Sequence, residues 1–455
     1  MMSVHRAAAF LTAGGIFVCA AAGARAQAVS VAELLPRLVA ESAVIAPGAS
    51  GDHSRHFEPS AEDLQPLYEL NRVLAVGVGG LPFGPAALAS SRPGAEGARL
   101  PVAGGWSDSV LTVGRGYFSL ALAYQATTFD SVDDLDLRSS EMNLYLPHQA
   151  ITGDPTERDM MAQTISLRLN RKVSIFALTY GWENRIDVGV VVPFVQVAAD
   201  ARVTSRIIRT ASSSNPAVHE FDTISLANRT LPRYCSELEA GFDADALHCH
   251  GSSTARGFGD IVLRAKYRLA GGANGVAVGA DVRLPSGSAN DFIGLGALQV
   301  RPAVMWSGSA GRIAPRLRAE YVWSEGELGS GLGGGVDRSV PDEIGVAAGF
   351  DAIVHPRVSL VFDVAARHID GLRKLSASSV VFPSRGAGTL PSADFIGDNA
   401  LQVGAERSFT QVTGAVGFRA SLPGALLAQM SVIVPATNDG LRAGPSAVFS
   451  LTRSY

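Results

Sequence analysis

The residues best placed to do chemistry in this chain are charged groups at two-residue spacing. Arg264, Lys266 and Arg268 share one face of a strand-like run, and Asp281 and Arg283 share the matching face of the next. Arg301, Arg316, Arg318 and Glu320 continue the series, followed by Glu343, Asp351, Asp363 and Arg367. A period of two puts such residues on one side of a sheet. The first part of the series is mainly basic and the last part mainly acidic. Facing one another across a narrow space, such walls would create a transverse field that favours anionic or dipolar solutes. Alternatively, the same groups would pair and hold the enclosed space together. Both readings stand at this level. Bond-making chemistry has no support: G-x-S-x-G is absent, no Ser and His have nucleophile–base spacing, and the glycines of Gly329 to Gly335 contain no GK[ST]. No catalytic, cofactor-binding or metal-binding residue is assigned.

Two further groups could bind metal or sulfur. Cys235 and Cys249 are the only cysteines beyond the N-terminal region, and His248 and His250 flank the second. An even pair in an exported chain points to a disulfide, and the spacing is a weak zinc pattern. His53 and His56 lie in a polar linker, GASGDHSRHFEPS, and are expected to be solvated.

The elements that must position these residues follow from composition. Of 455 residues, 47% are hydrophobic and only 18% charged, below the ~25% of an ordinary soluble domain. The apolar content is divided into short alternating runs, as a transmembrane β-barrel requires. Net charge is −4, which gives no bulk basic character for nucleic acid. Arg6, the apolar run Ala7 to Ala22 and Ala24-Arg25-Ala26 predict an export signal over residues 1–26, cleaved near Ala26.

Residues 27–105 read as a partly helical N-terminal segment. Ser30 precedes a stripe of Val31, Leu34, Leu35, Leu38 and Val39. Ser60 and Asp63 have capping-box spacing ahead of Leu64, Leu67, Tyr68 and Leu70. Pro36 and Pro66 are expected to shorten or kink these helices. The segment is expected to plug a barrel from below, to form a periplasmic cap or to stay partly disordered.

Alternation starts at Tyr117 and recurs to the last residue. Runs fall at Tyr117 to Phe129, Met161 to Trp182, Ile186 to Thr204, and the hairpin Gly257 to Leu284. Further runs fall at Leu295 to Trp306, Ile313 to Trp323, Ile344 to Ala352, Val358 to His368, Val412 to Leu422, Leu426 to Val434 and Ala447 to Tyr455. The apolar phase flips within Met161 to Trp182, which predicts a bulge or turn at Asn170-Arg171-Lys172. Pro193 predicts a bulge or break in its strand. Long loops are expected at Ser205 to Arg256 and Ile369 to Arg407. Tight turns alternate with longer loops throughout, the asymmetry of an outer-membrane barrel. The reading is therefore all-β: an antiparallel up-and-down transmembrane β-barrel of about twelve strands over residues 106–455. Fourteen is the alternative, if Met161 to Trp182 splits and Trp106 to Val113 adds a strand. Apolar faces would meet lipid and the charged series would line the lumen.

The pieces WSDSVLTVGRGYFSLALAYQATTFD, TYGWENRIDVGVVVPFV, GFGDIVLRAKYRL and GADVRLPSGSANDFIGLGALQVRPAV resemble the outer-membrane barrels known as Meta-pathway phenol-degradation proteins or simply as transporters. A more distant likeness is to the long-chain fatty-acid channels. The N-terminal LPFGPAALASS departs from the FPLG stretch of that family. The resemblance implies a Gram-negative outer-membrane channel for passive uptake of small organic solutes, aromatic or hydrophobic ones among them. It has no catalytic motif to carry over. The alternative is a structural or surface-display barrel with no transport role. Expected partners are outer-membrane lipid, a small solute and, through the terminal aromatic Tyr455, the barrel-assembly machinery.

Overall fold

The computed structural model describes residues 29–45, 56–80, 106–139, 142–148, 159–208, 219, 221, 235, 246–271, 274–333, 337–382 and 395–455. The proposed signal peptide lies outside them, as do His53 and residues 81–105.

Two short helices come first, α1 (Leu34–Glu41) and α2 (Gln65–Leu74). The Ser60 amide donates to Asp63 Oδ2 (2.8 Å) and the Asp63 amide to Ser60 Oγ (3.2 Å), a reciprocal capping box in which Asp replaces the usual Glu. Pro36 and Pro66 both fall in a first helical turn, where a missing amide hydrogen costs nothing. Both helices are short, as expected, at 8 and 10 residues.

Sixteen strand segments then form one sheet: β1 (Phe118–Val132), β2 (Leu135–Asp136), β3 (Met142–Pro147), β4 (Met160–Glu183), β5 (Ile186–Ile208), β6 (Ala246–Phe258), β7 (Val262–Gly271) and β8 (Gly275–Arg283). They continue with β9 (Ala297–Ser307), β10 (Ile313–Gly326), β11 (Glu343–His355), β12 (Val358–Phe382), β13 (Phe395–Leu422), β14 (Leu426–Pro435), β15 (Leu441–Ala443) and β16 (Ser446–Ser454). Segments β6 and β7 pair with successive stretches of β5, and β15 and β16 with successive stretches of β1. Each pair acts as one interrupted strand. Since β2 and β3 are accessory, the result is a closed antiparallel barrel of twelve strands. Chain ends make the seam: β1 pairs β16, and the Phe118 and Tyr455 rings stack at 4.9 Å. Trp106 to Val113 forms no strand.

Tight connections gather at one end, the turn end, and longer ones at the other, the loop end. Near the turn end the outer surface is apolar. Leu122, Phe176, Leu263, Val304, Leu317, Val346, Val364, Val416, Val432 and Phe449 are all exposed there. Tyr117, Phe118, Tyr180, Trp182, Tyr267, Trp306 and Tyr455 flank this band on the turn side, and Tyr321 and Trp323 lie further toward the loops. An apolar belt with aromatic edges is the surface of a membrane barrel.

Several strands are much longer than the ~9–11 residues a tilted crossing needs. β4 has 24 residues, β12 has 25 and β13 has 28. Their upper halves, with β3, β5 and β6, wrap around the helices beyond the apolar belt. This extension corrects the expected loops: part of Ser205 to Arg256 and most of Ile369 to Arg407 are strand. It also corrects the bulge at Asn170 to Lys172. β4 keeps unbroken register with β5 from Met160↔Ile208 to Gly181↔Asp187. What flips is the surroundings. Odd-numbered Ile165, Leu167 and Leu169 are buried inward against the helices, whereas even-numbered Phe176 and Tyr180 are exposed on the outer belt.

Pro193 likewise leaves β5 intact. The break falls in the neighbouring strand, between Phe258 and Val262, where the Gly259 amide donates to the Pro193 carbonyl (2.9 Å). Backbone N–H and C=O of one strand residue point the same way, so the missing proline donor faces that gap.

Candidate functional site

The described helices of the N-terminal segment pack on the inner face of the barrel at its loop end, not from below. α1 touches β5 and β6, and α2 touches β12 and β13. Leu34, Leu38, Leu67 and Leu70 are buried in one apolar cluster with residues of β1, β4 and β5. Gln163 Nε2, on β4, donates to the Val39 carbonyl (2.9 Å) and Ser42 Oγ (2.8 Å), joining α1 to the wall. Arg72 reaches Asp337 at 3.0 Å in the β10–β11 loop.

Below the helices, residues 106–113 run down the lumen toward the turn end. Ser107 Oγ hydrogen-bonds Asp363 Oδ1. A side chain on Gly349 would place its Cβ 2.5 Å from that hydroxyl, so the close approach requires glycine on β11. The Asp108 carboxylate lies 3.3 Å from Arg264, 3.8 Å from Lys266 and 3.9 Å from Arg318. Lys266 Nζ also donates to the Ser109 carbonyl (3.1 Å), and the Val113 amide donates to Asp187. One acid from the inserted segment thus serves three cations of the wall.

The remaining charges pair along the wall. Asp281 binds Arg264 (2.9 Å) and Arg318 (3.1 Å), and Arg318 also binds Glu320 (2.7 Å). Arg301 lies 3.7 Å from Glu320, Arg283 meets the buried Asp260 at 2.9 Å, and Arg367 makes a two-pronged contact with Glu343. Asp351 accepts from both Arg316 and Arg419 at 2.8 Å, and Arg316 lies 3.6 Å from Asp363. Among the described residues, only Arg268 of the sequence-derived series has no ion pair; it donates to the Asn184 carbonyl at the turn end. The two opposed walls therefore resolve into alternating, mutually neutralising charges.

Asp108, Asp187 and Arg419 take part in these contacts without belonging to the sequence-derived series. Asp108 and Arg419 sit in runs where no alternation of charge marked them. Arg171 was assigned to a bulge, yet it is an inward, buried residue of β4. The opposite arc carries small uncharged groups instead: Ser119, Gln125, Thr127, Gln429, Ser431, Ser450 and Thr452 are buried on β1, β14 and β16.

Among the cavities in this lumen, two share lining residues. One of about 110 Å³ is lined by Trp106, Val191, Arg283, Arg301, Glu343 and Ala365. The other, about 70 Å³, is lined by Trp106, Gln125, Gln411, Thr437 and Arg442. Each is smaller than the ~150 Å³ that holds a benzene ring. Trp106 borders both.

The histidines and cysteines also have definite places. Cys235 and Cys249 form a disulfide, with Cα atoms 4.2 Å apart. His250 is exposed and contacts Asp200, and His248 contacts Thr204. His56 is not solvated: it is fully buried beside His148 and His219. The linker that carries it is drawn inward by Phe57, also fully buried.

No protein-family model and no curated protein matches the chain. Among solved structures, an outer-membrane channel from Pseudomonas putida F1 is 13% identical, with a TM-score of 0.42, over 76% of this chain and 98% of that one. A Pseudomonas aeruginosa FadL homologue is 10% identical (TM-score 0.30; 82% and 99% of the two chains). The P. putida toluene transporter TodX is 12% identical (TM-score 0.32; 74% and 90%). The chain is thus distantly similar to outer-membrane channels, without a sequence family to which it is assigned.

Proposed function

We propose that the protein is an outer-membrane channel of a Gram-negative bacterium, and that it admits small organic solutes, aromatic ones included, past a segment of its own chain. The loop end then faces outward and the turn end the periplasm. The observation that carries this reading is the pair of cavities whose linings share Trp106, Ala365 and Arg367. They lie inside a barrel whose interior is filled by a separable segment rather than by wall side chains alone. A filled barrel with no passage would gain nothing from an inserted segment that leaves such spaces. The lining mixes apolar side chains with paired charges, which suits a neutral solute with a polar edge. The named neighbours, a toluene transporter among them, are consistent with that class. Kinship with the Meta-pathway barrels is part of the proposal and rests on the hairpin motifs. Docking of the C-terminal strand on the assembly machinery is also part of the proposal and rests on the terminal aromatic Tyr455.

The extensive ion pairing favours one competing reading, a structural barrel held permanently shut. The two separate in planar bilayers and in uptake by whole cells. Trp106→Ala is expected to join the two cavities and raise uptake of toluene-sized solutes several-fold. Equal, negligible uptake by both forms would support the shut barrel.

A further inference from the structure

We propose that His56, His148 and His219 bind one divalent first-row transition-metal ion, zinc by the chemistry of the donors. The site would tie the N-terminal segment to the loop end of the barrel. It stands whether or not the barrel conducts.

The three residues come from different parts of the chain. His56 lies between α1 and α2, His148 directly follows β3, and His219 lies between β5 and β6. Their ligand nitrogens all fall within 4.8 Å of one another. His56 Nδ1 is 2.7 Å from His148 Nε2 and 3.3 Å from His219 Nε2. Two imidazole nitrogens therefore converge on a third. A ring nitrogen carries either one hydrogen or one in-plane lone pair, so His56 Nδ1 cannot complete a good hydrogen bond with both. A cation accepts a lone pair from each. With Zn–N bonds of about 2.0–2.1 Å, tetrahedral ligands stand about 3.4 Å apart. The His56–His219 spacing is close to that value and the His56–His148 spacing is shorter, so ring rotation must open the latter pair to admit an ion.

Asp159 completes the arrangement. Its Oδ2 lies 2.7 Å from His219 Nδ1, and both side chains are buried. A carboxylate on the far nitrogen holds the proton there and leaves Nε2 as the donor, as it does for metal-bound histidines generally. Phe57 packs edge-on against His148 (5.8 Å) and His219 (5.4 Å), shielding the cluster from water. A separate backbone bridge, Ile45↔Phe221, joins the same linker to the same β5–β6 connection. The cluster thus sits where the inserted segment meets the outer loops, and an ion there would hold all three together.

The test uses the mature chain without a polyhistidine tag, stripped with chelator and titrated with Zn²⁺ by calorimetry, then loaded with Co²⁺ for its visible spectrum. One ion per chain and a tetrahedral cobalt spectrum are expected. Replacing all three histidines by Ala should abolish stoichiometric binding. Asp159→Asn should weaken it roughly 10- to 100-fold while keeping one ion per chain. Heat-modifiable electrophoretic mobility reports whether each variant is folded, and His148→Gln serves if the triple variant is not. No binding by the parent chain, or parental affinity in the folded histidine variants, would overturn the site.

Discussion

The belt region and the loop-end extension are built from the same strands with opposite polarity. Around the belt, residues facing out are apolar and those facing in are Arg, Asp, Glu, Ser and Gln. In the extension, β4 presents Arg168 and Lys172 outward and Ile165, Leu167 and Leu169 inward. Strand geometry does not change across the boundary, since the register of β4 and β5 is continuous. Two environments change together. The outer face passes from an apolar belt to a polar surface, and the inside passes from ion-paired side chains to a core made with α1 and α2. A continuous strand can therefore look interrupted when only its hydrophobic pattern is read.

The contrast predicts that the two regions fail differently. Asp351→Ala should have the largest effect. It leaves Arg316 and Arg419 buried beside each other without their shared carboxylate, at about 3–5 kcal/mol. The urea midpoint of the whole barrel should fall. Leu38→Ala, in the helix core, should cost about 2–5 kcal/mol of packing. That loss should appear as protease sensitivity of residues 29–80, with barrel mobility on gels unchanged. If the barrel unfolded with it, the two regions would be one cooperative unit.

The outer surface offers a second pair. Leu317→Lys places a charge in the belt and should cost about 2–4 kcal/mol near the membrane midplane. Lys172→Leu, on the outer face of the extension, should stay within about 0.5 kcal/mol. Refolding titrations in lipid vesicles compare them directly, and similar costs would mean that the belt is misplaced.

The smallest effect concerns Glu69 on α2. Burial pushes its carboxyl above the usual range, against the pull of Arg72 and Arg373. A raised value means that its stabilising contribution is complete below the unfolded value of about 4.3 and is lost as pH rises through the folded one. Hydrogen-exchange protection of α2, corrected for intrinsic rates, should decline from acid to neutral pH. It should stay flat in Glu69→Gln.

Much of the belt region was legible in the sequence, because lipid outside and charge inside produce clean alternation. The tight turns and the strand count of twelve follow from that pattern, which also picks out most of the residues that pair as ions along the wall. The extension was not legible. On β12 and β13 its inward residues, Leu372, Leu375 and Leu401, meet helices that the pattern of a single strand cannot reveal. The counter-charge of Asp108 was missed for a related reason. It belongs to a stretch with no period, and its partners lie 156 residues or more along the chain. His148 and His219 lie 92 and 163 residues from His56, so no local spacing could announce their meeting.

The inserted segment joins both regions, filling the extension with its helices and the belt lumen with Ser107 to Val113. If it governs passage, removing it should open the pore. Single-channel recording of the mature chain with and without residues 27–113, the stretch that reaches Val113 in the belt lumen, tests this most directly. Rare, small openings are expected of the intact chain and a large, steady conductance of the truncated one, with its folding confirmed by gel mobility. Equal conductance from both folded forms would contradict this.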